Sequence, residues 1–283
     1  MFTTINGLKL HYLVEGTGIP CVVPTLVGTP ILERTFSPEL RKRLQLVFLE
    51  LRAGRSEVGS IEDTTLDSLV DDIDRFRQAL HLEKIALIGF SRQGQLALRY
   101  AECYAECTSR IILIGALPAL DSRYAEERHR YWESLASEQR KAILWRNTSL
   151  SRVSTEALSR ATPSRAIVMD YVASGPMFWR DPNFDCAYLW EGHTLDAGIV
   201  ERFWGEGGAL SGFDPDQSFP KITCPVLIVA GLFDFTAPPT TWFGIKEKLK
   251  NHSYRVFEQS GHYPQFEEQK LFDATVVSWL APH

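Results

Sequence analysis

Three residues of this 283-residue chain, Ser91, Asp234 and His262, have the types and the chain order that nucleophilic acyl transfer needs. A serine hydroxyl is a weak nucleophile near neutral pH. An imidazole beside it supplies the base, and a carboxylate behind the imidazole fixes the tautomer that accepts the proton. Ser91 falls in Ile88-Gly89-Phe90-Ser91-Arg92-Gln93-Gly94, with Gly89 two residues ahead to relieve crowding. A serine at the tip of such a strand-to-helix turn exposes its hydroxyl and aims the next helix N-terminus at developing negative charge. Asp234 closes Ala230-Gly231-Leu232-Phe233-Asp234, and His262 sits in Gln259-Ser260-Gly261-His262-Tyr263-Pro264. Asp121 is a second candidate for the acid. His193 is a further histidine that could touch substrate.

These residues need elements that bring distant segments together, and the hydrophobic pattern supplies them. Leu8–Val14 alternates, and Glu15–Gly18 turns into the apolar run Ile19–Val23, so an antiparallel pair followed by a buried strand is expected to open the chain. Leu44–Leu51 reads as a strand, and the spacing of Leu66, Leu69, Val70, Ile73, Phe76 and Leu80 predicts an amphipathic helix over Leu66–Leu82. Strand Lys84–Gly89, helix Gln93–Cys103 and strand Arg110–Gly115 extend the alternation, giving successive βαβ units and a parallel sheet with right-handed crossovers. After the interruption described next, it resumes as strand Val226–Ala230, helix Thr240–Leu249, strand Tyr254–Glu258 and helix Glu268–Leu280. Between them, from 117 to 219, strand signals disappear and helical segments hold Trp132, Trp145, Trp179, Trp190 and Trp204. The expected organisation is one core domain in two parts, 1–116 and 220–283, interrupted by a helical cap over 117–219. Each member of the triad then falls at the C-terminal end of a predicted strand, where ligands bind in such sheets.

With these motifs in order, the sequence resembles the α/β-hydrolase superfamily and, within it, the bacterial proline iminopeptidase-like group. The expected fold is a mostly parallel, doubly wound α/β sheet with an inserted helical cap. Glu50-Leu51-Arg52-Ala53-Gly54-Arg55-Ser56 resembles that group's Asp-Leu-Arg-Gly-x-Gly-Arg-Ser loop with one residue removed, and Phe257 to Glu268 is similar to its histidine loop. Leu189-Trp190-Glu191-Gly192 resembles its Trp-Glu-Gly segment, and Glu201 falls where the group carries a second cap glutamate. The resemblance implies that Glu191 and Glu201 bind a substrate's free α-amino group, with Trp190 beside them. Two departures stand out. The group has glycine two residues after the nucleophile, where this chain has Gln93, a side chain that either narrows the packing or reaches the pocket. The group's His-Gly-Gly-Pro-Gly is replaced by Thr25-Leu26-Val27-Gly28-Thr29-Pro30. An oxyanion donor needs only a backbone N–H, so Val27, or Leu26 in a shifted register, is expected to act with Arg92.

The expected chemistry is acyl transfer to water through an acyl-enzyme. A proline iminopeptidase-like aminopeptidase leads, followed by a carboxylesterase or lactonase, and then by a ligand receptor that retains the triad without turnover. Serine in place of a carboxylate nucleophile argues against epoxide hydrolase and haloalkane dehalogenase chemistry. No cofactor or metal is implied; Cys103 and Cys107 share a helical face without histidine or cysteine partners nearby. A net charge of -5 with scattered Lys and Arg disfavours nucleic acid as a partner. The apolar runs are strand-sized, which disfavours a membrane span. The opening residues do not read as a targeting segment, and five widely spread cysteines suit a reducing compartment. A small-molecule substrate in the cytoplasm is the expected setting.

Overall fold

Eight strands hydrogen-bond into one sheet in the order β1-β2-β4-β3-β5-β6-β7-β8 in the computed structural model. The structure describes residues 1–5, 8–26, 30–51, 64–158, 163–192, 200, 202–203 and 207–281. The strands are β1 (Phe2–Ile5), β2 (Leu8–Glu15), β3 (Ile19–Thr25), β4 (Leu44–Glu50), β5 (Ile85–Phe90), β6 (Thr108–Ile114), β7 (Val226–Gly231) and β8 (His252–Phe257). From β4 through β8 in that order every neighbour is parallel. Strand β2 pairs antiparallel with β1 on one side and β4 on the other. The opening antiparallel pair is therefore β1 with β2. The run Ile19–Val23, which follows β2 through a tight turn, lies across β4 from it. The reason is burial: β3 is fully apolar on both faces at Cys21, Val22 and Val23, so it belongs inside the sheet.

Among the described residues, the helices of ten residues or more are α1 (Leu66–Ala79), α2 (Gly94–Cys103), α3 (Ser122–Leu135), α4 (Glu138–Leu158), α5 (Pro163–Ala173) and α6 (Gln269–Leu280). Helix α1 starts at Thr65, whose hydroxyl accepts from the Ser68 N–H while the Ser68 hydroxyl accepts from the Thr65 N–H. It buries Leu66, Leu69, Val70, Ile73 and Phe76 on the face the periodicity predicts. Helices α1 and α2 pack against one face of the sheet with β5 and β6, while α6 buries Phe272, Val276 and Leu280 in the cluster on the other face. Covering both faces is what an all-apolar parallel strand demands.

The segment Thr240–Leu249 departs from the expected helix. It forms two short 3-10 turns, Pro239–Trp242 and Lys246–Lys248. Pro238 and Pro239 open the stretch, Gly244 divides it at φ +79°, and the buried Trp242 indole donates to the Ala116 carbonyl at 2.7 Å. Among the described residues no strand occurs between Ile114 and Val226, and α3, α4 and α5 occupy that interval. No helix among the described residues is long and apolar enough to cross a membrane.

Candidate active site

Ser91 follows β5 directly and has φ +53°, a left-handed conformation that a side-chain-bearing residue holds only when its surroundings enforce it. A 3-10 turn, Ser91–Gln93, leads into α2. What allows the turn is the close approach of Gly89 and Gly94: a Cβ on Gly89 would lie 2.7 Å from the Gly94 Cα, and one on Gly94 would lie 2.7 Å from the Ala116 Cβ. The glycine expected two residues after the serine is thus unnecessary, because the close contact falls one residue later. Gln93, released from that contact, lines the cavity above the sheet.

Asp234 lies in the loop after β7 and is fully buried. Its Oδ1 accepts from the Thr236 N–H at 2.9 Å, the Thr236 hydroxyl at 2.8 Å and the Ala237 N–H at 2.8 Å. Its Oδ2 lies 2.7 Å from Nδ1 of His262, in the loop after β8. A carboxylate only accepts, so Nδ1 carries the proton and Nε2 is left as the basic nitrogen. His262 is 2% exposed, packed edge-on against Phe90 and tilted against Phe178, and its N–H donates to the Phe178 carbonyl at 2.6 Å. Gly115, at the end of β6, stands where a Cβ would come within 2.9 Å of His262 Nδ1, so only glycine admits the ring there. Glu267 closes the loop from behind, accepting from the Arg180 and Gly261 N–H groups at 2.8 and 2.7 Å. Burial pushes its carboxyl up to about 7.

Ser91 and His262 line one cavity of about 470 Å³, within the range of small-molecule sites. Its apolar wall includes Phe90, Tyr171, Phe178 and Trp190, and Arg92 and Gln93 join them from the elbow. Asp121 is at the same cavity, yet its carboxylate accepts from the Arg123 backbone and guanidinium, and the carboxylate on His262 is that of Asp234. Glu191, by contrast, is exposed at the end of a short turn and is not part of the lining. Val27, Glu201 and His193 lie outside the described residues. Thr25, at the end of β3, lines the cavity, and Leu26 is buried beside it. Among the described residues no group of His, Cys, Asp and Glu could hold a metal ion.

Four participants escape a reading by residue type. Thr236 orients Asp234, and its signal is the Asp-x-Thr turn in which a carboxylate accepts from the N–H two residues on. Tyr171 and Tyr263 touch through their hydroxyls at 2.5 Å in the cavity wall. Arg128 of α3 also lines the cavity. It stands four residues after Tyr124 and three before Tyr131, both buried, so helical spacing puts it on the inward face.

Comparison with known proteins agrees with this architecture. The family model described as alpha/beta hydrolase fold matches residues 36–269. The AB hydrolase superfamily protein YclE of Bacillus subtilis is 26% identical over 279 residues, covering 97% of this chain and 96% of its own length. A proline iminopeptidase of Heyndrickxia coagulans is 26% identical over 286 residues, covering 97% and 91%. Among solved structures, a point mutant of the meta-cleavage product hydrolase from Pseudomonas fluorescens IP01, complexed with acetates, superposes with a TM-score of 0.72 at 20% identity, covering 99% of this chain and 96% of that one.

Proposed function

The chain belongs to the α/β-hydrolase fold family, and from that premise we propose that it is a serine hydrolase cleaving a small carboxylic ester or lactone, with Ser91, His262 and Asp234 as its triad. The observation that carries this reading is the 2.7 Å contact of His262 Nδ1 with the buried Asp234, behind a cavity that His262 and Ser91 both line. His262 Nε2 takes the proton of the Ser91 hydroxyl as Oγ attacks the acyl carbonyl. The backbone N–H of Arg92, with that of Val27, two residues beyond β3 in the sequence, serves as the oxyanion donor pair in this reading. Collapse of the tetrahedral intermediate breaks the bond to the leaving oxygen, which receives the proton from His262. Water, deprotonated by the same nitrogen, then releases the acid and restores Ser91. The insertion over 117–219 serves as the cap, since Arg128, Tyr171, Phe178 and Trp190 come from it.

A second reading, an aminopeptidase removing an N-terminal proline, is favoured by the named relative from Heyndrickxia coagulans. The ester reading ranks above it because of the lining: Glu191 is exposed outside the cavity, whereas Arg92 and Arg128 line it. The Arg128 guanidinium, whose Nε has no hydrogen-bond partner, opposes an ammonium there. Turnover of prolyl p-nitroanilide and p-nitrophenyl butyrate by the wild type and by Ser91→Ala separates the readings. We expect Ser91-dependent cleavage of the ester with little of the anilide; prolyl anilide cleavage lost in Ser91→Ala would install the aminopeptidase, and no Ser91-dependent turnover of either would overturn both.

A further inference from the structure

We propose that Arg128, together with Arg92, forms an anion subsite in this cavity, so that the substrate carries a carboxylate in addition to the acyl group that reacts; this rests on the serine hydrolase reading for the reaction, though not for the binding. Arg128 reaches the cavity from α3, on the inward face set by Tyr124 and Tyr131. Its Nε is buried and has no hydrogen-bond partner. Buried guanidinium donors are rarely left this way, because an unmet charged donor costs more than a neutral one. An anion seated against this guanidinium in the cavity would offset that cost.

The surroundings point to an anion. Arg92 follows the nucleophile and lines the same cavity; burial, and then the charge of Arg128, lower its hold on its proton. Like charges facing one largely apolar cavity repel, and a substrate carboxylate beside Arg128 offsets that repulsion with a charge-assisted contact. The described carboxylates nearby are engaged elsewhere. Asp121, the one carboxylate among the described lining residues, is held by Arg123 at 2.8 Å, and Glu127 pairs with Arg130 at 3.0 Å. Guanidinium rather than ammonium also favours the planar two-oxygen geometry of a carboxylate. The remaining wall, with Tyr171, Phe178 and Trp190, suits a short apolar linker between the anion and the reacting carbonyl.

Calorimetric binding to the Ser91→Ala protein tests the subsite apart from turnover. Ethyl hydrogen glutarate carries a carboxylate on the acyl side and O-butyrylglycolate carries one on the alcohol side; ethyl valerate is the neutral reference. We expect at least one of the two half-esters to bind at least tenfold tighter than ethyl valerate. Adding Arg128→Met should remove that difference, and adding Arg128→Lys should retain part of it. Equal binding of all three esters to Ser91→Ala would overturn the subsite even if the wild type hydrolyses them, as would a preference that survives Arg128→Met. A preference without wild-type turnover would retain the subsite and sink the hydrolase reading. Because the cavity with Arg128 intact is compared across ligands first, a misfolded Arg128 variant does not rescue a negative result.

Discussion

Four donors converge on the Asp234 carboxylate, three of them on Oδ1 and the His262 Nδ1–H on Oδ2. Asp234→Asn replaces an acceptor by an amide that must donate toward one of them, which turns the imidazole to the wrong tautomer. Its kcat for p-nitrophenyl butyrate should fall by about 10³–10⁴. Asp121 lines the cavity but is bonded to the Arg123 backbone and guanidinium and not to His262, so Asp121→Asn should lower kcat far less than Asp234→Asn; parallel kinetics of the two variants check the assignment, and the reverse order would reassign the acid. The candidate triad was legible in the sequence because chemistry restricts it to few residue types in a fixed order at strand ends. Arg128 was not, because a charged residue in Glu126-Glu127-Arg128-His129-Arg130 looks solvated until the buried tyrosines around it fix the helix face. Of the two glutamates that the family resemblance implies, Glu191 stands exposed outside the cavity, and Glu201 lies outside the described residues.

At the scale of elements, the sharp passage from β5 to α2 depends on bare backbone at Gly89. A methyl group there meets the Gly94 Cα and the Gln93 carbonyl, which cannot move without shifting α2. Gly89→Ala should lower stability by about 1–3 kcal/mol in denaturant unfolding and reduce kcat as well, because Ser91 rides on the same turn. The loop holding His262 makes a pH prediction. Glu267 has an ordinary value of 4.5 and burial pushes it to about 7, so the native state binds more protons than the unfolded chain between those values. Stability contributed by the neutral carboxyl is full below pH 4.5 and is lost as pH rises through 7, a change on the order of 3 kcal/mol. Thermal unfolding midpoints should therefore decline from pH 5 to pH 8 in the wild type more steeply than in Glu267→Gln; parallel slopes would contradict it. Period and length located β2 through β8 and the helices α1, α2 and α6, since burial on one or two faces writes itself as periodicity. Sequence reading failed at Thr240–Leu249, where Pro239, Gly244 and the indole contact of Trp242 override an apparently helical composition.

For the molecule as a whole, the sheet and the helical segments between β6 and β7 are joined where the chemistry is. Arg140 of α4, 5% exposed, donates to the carbonyls of Pro176 and Trp179 at 2.7 and 2.8 Å and to that of Arg180, while its guanidinium lies over Phe235, next to Asp234. Arg140→Met leaves three carbonyls without their donor and should cost about 2–4 kcal/mol, lowering the unfolding midpoint in a single transition shared by the sheet and these helices. An early separate transition would show that the helices unfold alone. The alternation of strand and helix and its interruption after β6 were readable in advance, whereas the ties between the parts were not, because Arg140 finds its partners about 40 residues along the chain. The central claim is that Ser91 becomes acylated, and intact-protein mass spectrometry after acid quench during p-nitrophenyl butyrate turnover tests it most directly. The wild type should gain one butyryl group that peptide mapping places on Ser91, and Ser91→Ala should gain none and lose turnover. Acylation at another residue, or turnover undiminished in Ser91→Ala, would contradict the account.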